Sequence, residues 1–61
     1  MAIKVKRESK FKWSINGKPV AGRGKKAVIE ELRKMGVPED KIKKFEKMKI
    51  EVGQEVDIEK L

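Results

Sequence analysis

With 61 residues the chain has room for one domain, and its 17 Lys and Arg residues against 10 acids give a net charge of +7. It has no cysteine and no histidine, which excludes a disulfide framework and the usual zinc sites and favours a reducing, cytoplasmic compartment. No apolar run exceeds three residues, and the N-terminus shows no signal peptide. We therefore expect neither membrane insertion nor export.

The composition is that of a folded and thermostable protein. Charged residues make up 44% of the chain and hydrophobic residues 38%, but the apolar residues recur at regular spacings, which predicts a fold. An abundance of Lys and Glu without Cys is typical of proteins from hot environments, and designed proteins share this bias.

Two N-terminal segments have the two-residue period of half-buried strands. Within residues 3–6 and 10–15, apolar side chains alternate with lysine or serine. This pattern places Phe11, Trp13 and Ile15 together on the core side, so we predict Trp13 as a core residue. The opposite face would be a lysine surface that consists of Lys4, Lys6, Lys10 and Lys12.

A hairpin and two helices should follow. Asn16-Gly17 predicts a type I′ turn, and the strand from Lys18 should be a short edge strand because Pro19 cannot donate a ladder hydrogen bond. An apolar stripe that begins at Val28 predicts a helix with Gly36 as its C′ residue. A second helix should start with Pro38 at its first position.

The C-terminal part returns to a period of two. Residues 48–52 and 55–58 predict two strands joined by a turn at Gly53-Gln54, or one strand and a frayed tail. The order β-β-β-α-α-β-β then indicates an α+β fold, with the helices on one face of a small, mostly antiparallel sheet. The lysine surface would occupy the other face.

Positive charge is concentrated in the N-terminal part. Residues 1–26 contain nine Lys and Arg residues and one acid, whereas residues 27–61 contain eight Lys and Arg residues and nine acids. Clustered cations raise the local concentration of anionic partners, so this distribution favours binding to a polyanion.

The segment Gly22-Arg23-Gly24-Lys25-Lys26 is the first candidate site. Cations in the first turn oppose the dipole of the helix that they begin, which suggests that another requirement placed Lys25 and Lys26 there. Glycines that permit close approach (Gly22 and Gly24), free N–H groups and flanking cations would suit phosphate. The alternative is that the glycines only make a turn and the lysines extend into water.

The lysine surface is the second candidate site. Lys4 or Lys6 should face Lys10 or Lys12 across the first two strands, and like charges in that position repel each other unless a polyanion intervenes. With Trp13 in the core, binding should depend on phosphate contacts and not on stacked aromatic rings. Catalysis is not expected, because the chain lacks His, Cys and Tyr.

Residues 10–36 resemble the second half of a double-stranded-RNA-binding domain. A Phe-containing strand, a turn and a further strand lead into Gly22-Arg23-Gly24-Lys25-Lys26-Ala27 and an apolar helix, similar to that family's glycine, double-lysine, alanine signature. The resemblance implies that Lys25 and Lys26 hold phosphates.

The same stretch also looks like the cytoplasmic start of the inner-membrane platform proteins of type II secretion and type IV pili. That likeness is carried by Phe11-x-Trp13, Gly17-Lys18-x-Val20-x-Gly22 and Leu32-x-x-x-Gly36-x-Pro38.

We therefore predict a nucleic-acid-binding protein that contacts the phosphate backbone of DNA or RNA, with little sequence specificity and without metal or cofactor. The predicted contacts are Lys4, Lys6, Lys10, Lys12, Arg23, Lys25 and Lys26. The alternative is a protein-interaction module, viral accessory factor or designed scaffold whose lysines only confer solubility. Attachment to an anionic membrane would need a basic amphipathic helix, but the first helix here carries its basic residues mixed with Glu30 and Glu31. Self-association as a homodimer is compatible with so small a core.

Overall fold

The computed structural model describes residues 2–61 and confirms the α+β class. Strands β1, β2 and β3 precede helices α1 and α2, and strand β4 leads into a 3₁₀ turn. Their bounds are β1 Lys4–Arg7, β2 Trp13–Ile15, β3 Lys18–Pro19, α1 Gly24–Lys34, α2 Glu39–Lys47, β4 Glu55–Asp57 and the 3₁₀ turn Ile58–Lys60.

The strands form one antiparallel sheet in the order β3-β2-β1-β4. Val5 in β1 pairs with Ile15 in β2 on one side and with Val56 in β4 on the other. Because side chains alternate along a strand, this row defines one apolar face of the sheet. The core forms where this face meets the buried residues of the helices, which include Val28, Leu32, Ile42 and Phe45.

Two local features agree with the sequence. Asn16 and Gly17 both have positive φ, 51° and 81°, so the β2–β3 turn has the sign of backbone twist that a type I′ turn requires. At the end of α1, Gly36 has a φ of 85°, its N–H donates to Arg33 O, and the Val37 N–H donates to Leu32 O. This pair of bonds is a Schellman motif, which confirms Gly36 as the C′ residue.

The predicted strand at residues 48–52 is wrong. The segment is irregular, and β4 pairs with β1 instead of forming a hairpin with it. The Arg7 side chain donates to Ile50 O at 2.6 Å, and the Arg7 backbone bonds with Gly53 and Gln54. These bonds attach the segment to the end of β1. The alternating pattern of residues 48–52 therefore reflects the burial of Ile50, although the segment pairs with none of the described strands.

The position of Phe11 also differs from the prediction. Strand β2 begins at Trp13, two residues later than the apolar alternation suggests, and Phe11 lies in the loop before it with 55% of its surface exposed. Trp13 is a core residue as predicted, since it is 5% exposed and its ring meets that of Phe45 edge to face, with centroids 6.0 Å apart.

Replacing Trp13 by alanine should therefore destabilise the fold by about 3–5 kcal/mol, because the substitution leaves a cavity beside Phe45. A domain of this size has a total stability of only about 3–9 kcal/mol, so much of the population should unfold. Chemical denaturation followed by far-UV circular dichroism measures the loss. Phe11→Ala is the matched control and should cost less than about 1 kcal/mol. Equal losses in the two variants would contradict the different burial of the two rings.

Candidate nucleic-acid interface

The outer face of the sheet carries both signs of charge. Lys4 is opposite Asp57, and Lys6 is opposite Glu55 on β4 and Ser14 on β2. Neither Lys10 nor Lys12 belongs to a strand, so the predicted opposition of lysines across β1 and β2 is wrong. Opposite charges on neighbouring strands attract each other, so the charges of Lys4 and Lys6 are already partly balanced by their acidic neighbours. The sheet face is therefore a poor surface for a polyanion.

A second basic surface lies at the end of the sheet where β1 stops and β2 begins, and the charged residues that line it are all cations. It consists of two adjoining depressions that share Lys10 and Phe11. Within residues 2–61 no acidic side chain lines either depression. We call this surface the Phe11 patch, and its charged members are Arg7, Lys10, Lys12, Arg23, Lys25 and Lys49.

Four separate segments supply these cations, and the end of β1 contributes Arg7. The loop between β1 and β2 contributes Lys10 and Lys12, the start of α1 contributes Arg23 and Lys25, and the irregular segment after α2 contributes Lys49. Four of the predicted contact residues thus come together here. Sequence reasoning missed Lys49, because it placed that residue on a strand, and it missed Arg7 as well.

The loop that carries Phe11 is held by hydrogen bonds to three consecutive carbonyls. Lys10 O accepts from Arg7 Nη2 at 3.0 Å, and Phe11 O accepts from the Gly24 N–H at 2.9 Å. Lys12 O accepts from the N–H groups of Glu8 and Ser9. The loop is consequently fixed to β1 and to the start of α1, and the Phe11 ring extends from a backbone that is ordered before any ligand arrives.

Arg7 connects the segments that surround the patch. Its two terminal nitrogens donate to Ile50 O and Lys10 O, and its guanidinium lies 5.5 Å from the centroid of the Trp13 ring. The side chain is half-buried, and its Nε is buried with no partner among residues 2–61. Arg7 thus has a structural role and still adds a positive charge to the patch.

Lys25 stabilises the end of the other helix. Its ammonium donates to Glu46 O at 2.9 Å and to Met48 O, and it lies 5.0 Å from the centroid of the Phe45 ring. A cation there meets the negative end of the α2 dipole, which is favourable even though the same cation opposes the dipole of α1. These contacts with the end of α2 thus explain, at least in part, why a lysine occupies position 25.

The environment of Lys25 acts on its pKa in both directions. Burial lowers the pKa of Lys25, the Glu46 carboxylate raises it, and the positive charge of Arg7 lowers it, with a net decrease. The two carbonyl acceptors favour the charged form of the ammonium.

The glycines predicted to admit phosphate have conformational roles. Gly22 and Gly24 both have positive φ, 96° and 74°, which L side chains rarely adopt. A Cβ on Gly22 would also lie 3.1 Å from Ala27 Cβ, and the Gly24 N–H already donates to Phe11 O. These glycines shape the turn into α1, which brings Arg23 beside the loop that carries Phe11.

The start of α1 adds to the positive potential. No side chain caps this terminus, and its first turn contains no acid. Arg23 is the N-cap residue, and both Arg23 and Lys26 are exposed. Lys26 lines a separate depression with Lys25, Ile29, Arg33 and Glu46, and it lines neither depression of the Phe11 patch.

Comparisons with protein-family models, with curated protein sequences and with solved structures gave no match to this chain. In the part of the chain that the structure describes, no helix is long and apolar enough to cross a membrane. The same residues contain no cluster of acidic side chains that could hold a metal ion. Functional inference therefore depends on the residues of the Phe11 patch.

Lys25→Met should lower the free energy of unfolding by about 1–2 kcal/mol, because it removes the charged donor to two carbonyls at the end of α2. Lys26→Met is the matched control, since Lys26 is exposed and makes no hydrogen bond or ion pair within residues 2–61. It should change stability by less than about 0.5 kcal/mol. Chemical denaturation of both variants at neutral pH provides the comparison. If both variants had the same free energy of unfolding as the parent, Lys25 would have no structural role.

Proposed function

We propose that this chain binds nucleic acid through the phosphate backbone, with little sequence specificity, and that the Phe11 patch is the contact surface. The observation that carries the proposal is that six cations from four segments line two adjoining depressions, and no acidic side chain of residues 2–61 lines either of them. A surface of one sign focuses its potential outward, whereas the mixed charges beside Lys4 and Lys6 largely cancel.

Free ammonium and guanidinium groups are available for phosphates. Lys10, Lys12, Arg23 and Lys49 are exposed, and no hydrogen bond or ion pair within residues 2–61 engages their side-chain nitrogens. Arg7 and Lys25 already donate hydrogen bonds to backbone carbonyls. They therefore add positive charge to the patch more than they offer direct contacts to phosphate. Four to six phosphate contacts are therefore within reach of one ligand. The Phe11 patch does not include three of the predicted contacts, Lys4, Lys6 and Lys26.

Low sequence specificity follows from the kind of side chain present. Specific readout depends on planar groups such as Arg, Asn or Gln that bond base edges in a groove. The exposed cations of the patch are mostly lysines, which act as point charges on flexible stems and fit any phosphate. Contacts of this kind fit the phosphates of DNA and of RNA alike. We place the interaction in the cytoplasm because a chain without cysteine is compatible with a reducing compartment.

A protein-interaction module is the second candidate. Within residues 2–61 the exposed large hydrophobic residues besides Phe11 are Met35 and Val52, each about half exposed. Neither residue lines the Phe11 patch. Interface cores are depleted in lysine, which makes the Phe11 patch an unfavourable centre for a protein contact.

We expect log K for nucleic acid to fall linearly with log salt concentration, with a slope of about −3 to −6, because each phosphate contact releases a condensed counterion. Replacing two patch cations in a Lys12→Gln/Arg23→Gln variant should reduce the magnitude of that slope by about 2 and weaken binding evenly across sequences. Fluorescence anisotropy with labelled oligonucleotides at several salt concentrations measures both quantities.

The Lys4→Gln/Lys6→Gln variant is the matched control, because it removes the same charge from the sheet face, where Glu55 and Asp57 are neighbours. Its slope should change by less than about 1. A flat salt dependence of the parent would remove the electrostatic mechanism. A larger effect of the sheet-face variant would move the contact surface to the sheet.

A further inference from the structure

We infer that Phe11 stacks on an unpaired base, so that the preferred ligand of the Phe11 patch is a single-stranded nucleic acid. The inference rests on the proposed function and names its substrate class. Its starting point is that the chain has three aromatic residues and buries two of them, Trp13 and Phe45, in contact with each other. The third ring, Phe11, is 55% exposed.

The surroundings of the ring indicate what it meets. Single exposed apolar residues are common and need no explanation, but Phe11 lies among six cations in two depressions that no acidic side chain of residues 2–61 lines. A protein partner would have to remove several lysines from water around the ring, and protein interfaces disfavour lysine at their centre. An aromatic ring inside a positively charged groove is the recurring combination in proteins that bind single strands.

The ring is also held ready for a ligand. The carbonyls of residues 10, 11 and 12 all accept hydrogen bonds, from Arg7, from Gly24 and from the N–H groups of Glu8 and Ser9. Because the backbone on both sides of Phe11 is fixed, little conformational entropy is lost when a base stacks on the ring.

Lys10 occupies a place that a base can take. Its ammonium lies 5.5 Å from the centroid of the Phe11 ring. An exposed cation–π contact is worth roughly two- to fivefold in an equilibrium constant, whereas stacking of one base is worth roughly 5- to 150-fold. A base can therefore displace the ammonium, which is then free to meet the neighbouring phosphate.

This geometry favours single strands over duplexes. In a double helix the flat faces of the bases are covered by their neighbours, so Phe11 could meet only sugar and phosphate there. In a single strand a base can turn toward the ring while the adjacent phosphates contact Lys12 and Arg23, which line the same depression as Phe11.

The test compares Phe11→Ala with the parent on three probes: a 15-nucleotide oligothymidylate, a 15-base-pair DNA duplex and an inorganic polyphosphate of similar charge. We expect Phe11→Ala to weaken binding of the oligothymidylate about 5- to 100-fold and to leave the duplex and polyphosphate within about twofold. Phe11→Trp should restore binding of the single strand. Met35→Ala is the control, because Met35 is also an exposed large apolar residue and lies outside the patch.

The outcomes separate this inference from the proposed function. If the parent binds all three probes with a steep salt dependence but Phe11→Ala binds the oligothymidylate like the parent, stacking is refuted and phosphate binding stands. Equal weakening on all three probes also refutes stacking. If the parent binds none of the probes, the proposed function fails and this inference fails with it. Loss of self-association in sedimentation by Phe11→Ala, with unchanged binding of the oligothymidylate, would assign the ring to a protein contact.

Discussion

The guanidinium of Arg7 is the interaction on which the candidate site depends. It donates to carbonyls on both sides of the patch, at Lys10 and at Ile50, and it does so from the end of a central strand of the sheet. These bonds attach the loop that carries Phe11 and the segment that carries Lys49 to the same strand. Hydrogen bonds from a charged donor are the stronger kind.

Local signals in the sequence were sufficient for the features that depend on a few neighbouring residues. The Asn16-Gly17 turn and the end of α1 at Gly36 both follow from backbone conformations that few residues can adopt. Phe11 and the segment 48–52 were misassigned because apolar alternation continues past the place where hydrogen bonding stops. Tertiary contacts decide how the segment 48–52 runs, among them the hydrogen bonds from Arg7 to Ile50 O and from Lys25 to Met48 O.

The site itself was harder to predict than the fold. Its cations come from segments that are up to about 40 residues apart in the chain, so no local pattern could group Lys49 with Lys10. The lysines that did form a pattern, Lys4 and Lys6, lie opposite acids from β4, a strand whose place beside β1 could not be read from spacing. Lys25 shows the same limit, because the helix end that it stabilises is 21 residues away.

The two edges of the sheet have a consequence for behaviour in concentrated solution. A second copy that paired with β4 in antiparallel register about Val56 would place Glu55 of one chain against Asp57 of the other, and such like charges repel. At the opposite edge β3 has only two residues, and Pro19 has no N–H to offer a further strand. Both edges thus resist the lateral addition of strands that leads to aggregation, even where a polyanion neutralises the basic end of the molecule and brings many copies close together.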